Sequence, residues 1–189
     1  MTNVTTVTTG MVRLSYVNLL QPYAHQPGAD PKYSVTVLVP KTDVQTKALI
    51  DAAVNAAKQN GVSKTWGGVM PPLVAVCVHD GDGTRPSDGM PFGDECKGNW
   101  VFTASSKQQP GIVDANIQPL LDATKIYSGV YGRVSVNFFP YFNSGKKALA
   151  VGLTMCKFCK MANRSAIKFQ LKKSLAQRYP VHLPRQLMR

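Results

Sequence analysis

The chain has 189 residues, with 22 Lys/Arg against 10 Asp/Glu and a formal net charge of +12. That length allows one domain with a real core, or one domain plus a tail. No apolar run approaches the ~20 residues of a membrane span, and the opening MTNVTTVTTG lacks the basic region and apolar block of a secretory signal, so cytoplasmic residence is expected.

The charge is unevenly placed. Residues 1–155 hold 13 Lys/Arg and all 10 acids, a net of +3, while residues 156–189 hold nine Lys/Arg and no acid, a net of +9. Body and tail therefore need separate arguments. Domain boundaries of 1–153 for the body and 154–189 for the tail are expected.

In chain order, Thr5 to Leu20 reads as a long first strand with a bulge or bend at Gly10. Val12, Leu14 and Tyr16 are expected on one face, opposite Met11, Arg13 and Ser15. Gln21 to Pro31 is a loop, and Tyr33 to Val39 a second strand closed by Pro40. Thr42-x-x-Gln45 forms a capping box that starts the one strong helix. Leu49, Ala52, Ala53 and Ala56 mark its expected buried stripe, and Gly61 its left-handed cap. Alanine-rich packing places the helix close against a sheet or at a barrel end.

Residues 62–97 are long and irregular. Trp66 stands before two glycines as a candidate mobile aromatic, and Leu73 to Val78 is a possible short strand. Asp80-Gly-Asp82 resembles a calcium loop, but its twelfth position is Pro91, so that reading is rejected. Asn99 to Ser105 is a further strand, with Trp100 and Phe102 on one face. Tyr127 to Phe142, YSGVYGRVSVNFFPYF, is the strand around which the rest is organised. Side chains alternate along it. Val130, Gly132, Val134, Val136 and Phe138 form its core face, and Tyr131, Arg133, Ser135, Asn137 and Phe139 the other. Asn143-Ser-Gly145 turns the chain and Lys147 to Thr154 returns as a hairpin partner. About five β segments with one helix and a large loop insertion fit a small closed or partly closed barrel better than a sandwich or a βαβ fold.

Enzymatic signatures are missing. There is no GxxxxGK[ST] phosphate loop and no GxSxG elbow. Histidines stand only at 25, 79 and 182, with no nucleophile or orienting partner in evidence. Cys156-Lys-Phe-Cys159 is a single CxxC; Cys77 and His79 would complete a zinc site only on paper. No metal and no cofactor are assigned.

Binding chemistry is better represented. Aromatics interleave with cations on several strands, the pattern by which single-stranded nucleic acid is held: bases stack on rings at roughly 1–3 kcal/mol each while Lys and Arg follow the phosphates. The candidate stackers are Tyr16, Trp66, Tyr127, Tyr131, Phe139 and Tyr141. The candidate phosphate contacts are Arg13, Lys107, Arg133, Lys146 and Lys147. A one-residue slip of the organising strand would exchange its two faces.

The set TTGMVRLSYVNLLQP, DPKYSVTVLVPKTD, DGDGTRP, SSKQQPGIVDANIQPL and YSGVYGRVSVNFFPYFNSGKKALAVGL resembles a family of bacteriophage single-stranded-DNA-binding proteins over residues 5–153. The resemblance implies an OB-fold, a five-stranded barrel with one packed helix and long loop insertions, like that of the T7-type phage proteins. It implies non-enzymatic, sequence-independent binding of single-stranded DNA in phage replication, recombination and repair, in the cytoplasm of the infected bacterium. It also implies an acidic end that recruits phage or host replication proteins and competes with DNA for the basic groove. Here the match stops at Leu153, and the tail is basic. Back-translated and read one base out of phase, it becomes NNVQILQDGEPLSNQISAEEEFGSA, the continuation that the family resemblance implies. A one-base deletion near the codon for Thr154 is therefore expected. The tail is expected to be a disordered or poorly packed segment, with a basic helix that puts Ile167, Leu171 and Leu175 on one stripe as the alternative. A virion assembly β-protein and an RNA-binding OB-fold are the competing functions.

Overall fold

The structure is a computed structural model. It describes residues 4–24, 27–71, 74–75, 77–120, 122–143 and 146–160, apart from the side chains of Asn143, Lys146 and Lys160. The tail beyond Lys160, with the disordered segment or basic helix read for it, and the turn residues Ser144 and Gly145 lie outside the described residues, as do Leu73 and Val76 of the Leu73–Val78 segment.

Eight strands form one sheet: β1 (Thr6–Thr8), β2 (Val12–Tyr23), β3 (Lys32–Pro40), β4 (His79–Asp80), β5 (Asn99–Ser106), β6 (Gly111–Val113), β7 (Tyr131–Asn143) and β8 (Lys146–Lys160). β2 pairs with β3, β3 with β5, β5 with β8, and β8 with β7, which returns to β2. This ring is the expected five-stranded closed barrel. β1, β4 and β6 are short additions on β7, β5 and β8 respectively.

β7 follows its expected alternation. Val130, Gly132, Val134, Val136 and Phe138 are all buried, and the intervening side chains are half-buried or exposed. The ring of Phe138 meets that of Phe102 across the core, at 6.1 Å between centroids. Gly132 is required by a close approach: a Cβ there would lie 2.5 Å from the Lys157 carbonyl oxygen on β8.

Helix α1 (Val44–Asn60) closes one side of the barrel, placing Ile50, Ala53, Val54 and Ala57 in the same core as Val136 and Phe138. Leu49, expected inside, is exposed, and the true stripe is Thr46, Ile50, Ala53, Val54 and Ala57. With alanines at 52, 53, 56 and 57, neighbouring stripes differ little in hydrophobicity, and the larger Ile50 and Val54 decide the rotation.

The cap also differs from expectation. Asp43, not Thr42, caps the helix: its Oδ1 accepts from the Thr46 backbone N–H at 3.0 Å. Thr46 in turn holds the break between β1 and β2, because its Oγ accepts from the Gly10 N–H at 2.9 Å. Gly61 does not take a left-handed cap. Its φ of −61° continues the helix into a π-turn, Gly61–Thr65. A side chain at 61 would run into the Trp66 ring, whose atoms lie 2.6–2.7 Å from the position of a Cβ.

Two strands depart from their sequence-based extents. The first strand is split around Gly10, and β2 then bulges so that Tyr16 and Val17 together oppose Val35. β8 runs past Thr154 to Lys160. Its register shifts at Thr154, which stands as the extra residue between Leu153 and Met155. Cys156 and Phe158 then bury on the core side and carry the barrel strand forward. The last barrel strand thus extends beyond Leu153.

Candidate nucleic-acid interface

Three barrel strands build a cationic outer face. Arg13 on β2 stands opposite Tyr131 on β7. Arg133 stands opposite Lys157, and Tyr131 opposite Lys160, on the β7–β8 ladder. Residues directly opposite in an antiparallel pair share a face. Arg133 is exposed, and Arg13, Tyr131 and Lys157 are half-buried, while Val12, Leu14, Gly132 and Val134 point inward. Beside them Ser15 opposes Thr36, and Thr36 opposes Thr103, with 3.2 Å between the two threonine hydroxyls. Ser15 and Thr36 are half-buried and Thr103 is exposed.

Electrostatically this face stands apart. The only acid in any of the eight strands is Asp80, in β4. Among the described residues no carboxylate lies within ion-pair distance of Arg13, Arg133 or Lys157. Like charges directly opposite each other cost stability in a sheet. An anion between Arg133 and Lys157 removes that cost.

One edge of the face is walled by the 79–98 insertion, which packs Phe92 and Cys96 over Leu38 and Val101. Lys41 anchors the insertion, with its Nζ 2.6 Å from Asp80 and 2.7 Å from Asp82. Hydrogen bonds from Lys41 hold both carboxyls below the usual aspartate range. The same ammonium lies over the Trp100 ring at 5.2 Å, and that of Lys47 at 4.5 Å.

Tyr16 is 56% exposed and has a φ of 47°. It occupies the bulge position at which glycine is favoured. Its conformation is held by Ser128, whose Oγ accepts from the Val17 N–H at 3.1 Å, and by Asn18, whose Nδ2 donates to the Tyr16 carbonyl at 3.3 Å. The bulge turns Tyr16 away from the Val12–Leu14 face on which strict alternation would put it. Phe139 and Tyr141, each about two-fifths exposed, stand at the far end of β7. Tyr127 is half-buried against the core and Lys107 pairs with Asp30 at 2.8 Å, both partners exposed. The Lys146 side chain lies outside the described residues.

Two candidates are corrected. Trp66 is only 3% exposed. Its loop is fixed, because the Trp66 N–H donates to the Gly61 carbonyl at 2.7 Å and its indole N–H to the Tyr141 carbonyl at 3.3 Å. Lys147 is half-buried, with its Nζ donating to the Trp66 carbonyl at 2.8 Å. Both brace the β7–β8 hairpin instead of facing a ligand.

Sequence reasoning did not place Lys157 on this face or Phe142 at the surface. For Lys157 the signal was present: Leu153, Cys156 and Phe158 extend the apolar face of the strand, with one bulge. Phe142 falls on the nominal core side but is 56% exposed, since β7 outruns the barrel at that end.

Burial pushes the thiols of Cys77 and Cys96 up to about 11 and that of Cys156 to about 12, which disfavours their thiolates. Among the described residues no three His, Cys, Asp or Glu side chains gather as metal ligands, and no helix is long and apolar enough to cross a membrane.

A family model described as Enterobacter phage Enc34, ssDNA-binding protein, matches residues 5–163. A protein of Acyrthosiphon pisum secondary endosymbiont phage 1, named p50, is 30% identical over 141 residues, covering 71% of this chain and 73% of its own length. The structure of the single-stranded DNA-binding protein from bacteriophage Enc34 in complex with ssDNA aligns with a TM-score of 0.70 at 27% identity, covering 84% of this chain and 88% of that one. The single-stranded DNA-binding protein encoded by bacteriophage T7 aligns with a TM-score of 0.60 at 12% identity, over 84% and 93% of the two chains, and shares the fold. The chain belongs to the Enterobacter phage Enc34 ssDNA-binding protein family.

Proposed function

We propose that the protein binds single-stranded DNA without sequence preference along the outer face of β2, β7 and β8, and that it serves phage DNA replication, recombination and repair in the infected bacterial cell. The observation that carries this reading is the cation pair Arg133–Lys157, set opposite each other on strands that contain no acid. Arg13 extends the cationic line toward β2. Tyr131 and Tyr16 supply ring faces beside it, and the Ser15–Thr36–Thr103 strip lets a backbone lie close. The complex of the Enc34 relative with ssDNA supports the same reading. The acid-free residues 156–189 add charge for any polyanion. The family match reaches residue 163 and β8 keeps Cys156 and Phe158 in the core, so no change of frame at the Thr154 codon is proposed.

Fluorescence anisotropy of a labelled oligo-dT, with duplex DNA and RNA as competitors across a salt series, tests the function. Tight binding of oligo-dT with weak competition by duplex and RNA is expected. Equal competition by all three would reduce the protein to a polycation and overturn the reading.

A further inference from the structure

A notch of about 270 Å³ opens at the far end of β7, where the π-turn faces the strand. Thr5, Asn60, Lys64, Thr65, Asn137 and Phe139 line it. Three of them carry complementary chemistry. Phe139 rests one side of its ring on β8 at Gly152, where an added Cβ would come within 3.3 Å of the ring, and keeps the rest of the ring 41% exposed. Asn137 accepts at Oδ1 from the Thr5 hydroxyl at 2.7 Å, which fixes the amide and leaves its Nδ2 without a partner among the described residues. Lys64 is exposed on the π-turn and has no ion-pair partner among the described residues.

The wall that bears Lys64 is rigid. The Trp66 bonds to Gly61 and Tyr141, and the Lys147 bond to Trp66, bolt the π-turn to the hairpin. π-turns are rare and frequently mark functional sites.

We propose that this notch is a distinct subsite for one nucleotide of the bound strand, a reading that rests on the proposed function. The base stacks on Phe139, the Asn137 Nδ2 donates to a base carbonyl, and Lys64 meets the adjoining phosphate. The volume lies just under the usual ~300–1,000 Å³ of small-molecule pockets, so the notch suits a single nucleoside. Six residues of extended strand separate Arg133 from Phe139, roughly 20 Å at ~3.3 Å per residue. The subsite is therefore apart from the cationic face, and a strand must run along β7 to engage both.

The full chain is compared with its Phe139→Leu and Lys64→Gln variants, both at exposed positions, using labelled oligo-dT and an oligomer of the same length made of abasic sugar-phosphate units. Each variant is expected to bind oligo-dT about ten-fold more weakly, the scale of one lost stack or phosphate contact. Phe139→Leu should leave the abasic oligomer unchanged, whereas Lys64→Gln should weaken both. Bromodeoxyuridine-substituted oligomer should photo-crosslink to Phe139. Wild-type affinity of both variants for oligo-dT, with Arg133→Ala still weakened, overturns the notch and leaves the barrel face standing. A wild-type chain that binds no oligo-dT overturns both.

Discussion

The 79–98 insertion and the β2–β7–β8 face treat charge in opposite ways. In and around the insertion, cations meet acids: Lys41 holds Asp80 and Asp82, Arg85 holds Asp88, and Lys97 holds Asp94. On the strand face Arg13, Arg133 and Lys157 meet none among the described residues. The first region uses charge to fix a loop; the second leaves it open to a partner of opposite sign. Net charge alone would not separate the two. The position of the acids does, and the barrel strands have none.

The sharpest way to break the comparison starts with the brace between hairpin and helix. Trp66→Ala should cost about 3–5 kcal/mol of stability in chemical denaturation, as expected for a large buried ring. If Trp66 were a mobile stacking residue, stability would hardly move and only affinity would fall. Next comes the strand face. Arg133→Glu should weaken oligo-dT binding by about ten-fold or more, and Arg133→Ala should lower the salt slope of binding by about 0.7. Unchanged affinity in anisotropy titrations would show that the unpaired cations do not meet DNA.

Tyr16→Gly sharpens the contrast at smaller scale. Relief of the left-handed backbone should raise stability by about 1 kcal/mol, while the lost ring lowers DNA affinity. A variant that loses both would indicate that Tyr16 supports the fold. The smallest effect belongs to the Lys41 clasp. Its aspartates have lowered pKa values, so their contribution is present above the ordinary aspartate value of 3.8 and lost as pH falls through their lower folded values. Lys41→Met should flatten that acid limb in thermal melts taken from pH 5 to 2. An unaltered limb would remove the clasp from the account.

How far the sequence could be read depended on contrast between neighbouring positions. In β7, valines alternate with polar and aromatic residues across nine positions, so its faces were legible at once. In α1, the alanines at 52, 53, 56 and 57 left two stripes nearly equal, and the reading chose Leu49 where the fold uses Ile50. The bulge at Tyr16 was illegible, because nothing in Ser15-Tyr16-Val17 announces a left-handed residue; only Gly in that position would have. The site suffered in the same way. Arg13, Tyr131 and Arg133 follow from alternation and fall together. Lys157 was assigned to a tail because the recognisable motifs end at Leu153, although the family match runs to residue 163 and Cys156 and Phe158 keep the strand apolar on one side. Trp66 looked free because two glycines follow it. Its burial depends on Gly61, five residues earlier, which no local pattern reveals.

The placement of the two tryptophans has an optical consequence. One indole is sealed beneath the π-turn and the other lies under two ammonium groups, so neither offers a clean face to an incoming base. Intrinsic emission should therefore respond to ligand only indirectly. Strain on the hairpin would reach Trp66 through its bond to the Tyr141 carbonyl, and emission would then report a shift at the end of β7, whereas direct quenching by a stacked nucleobase would be absent.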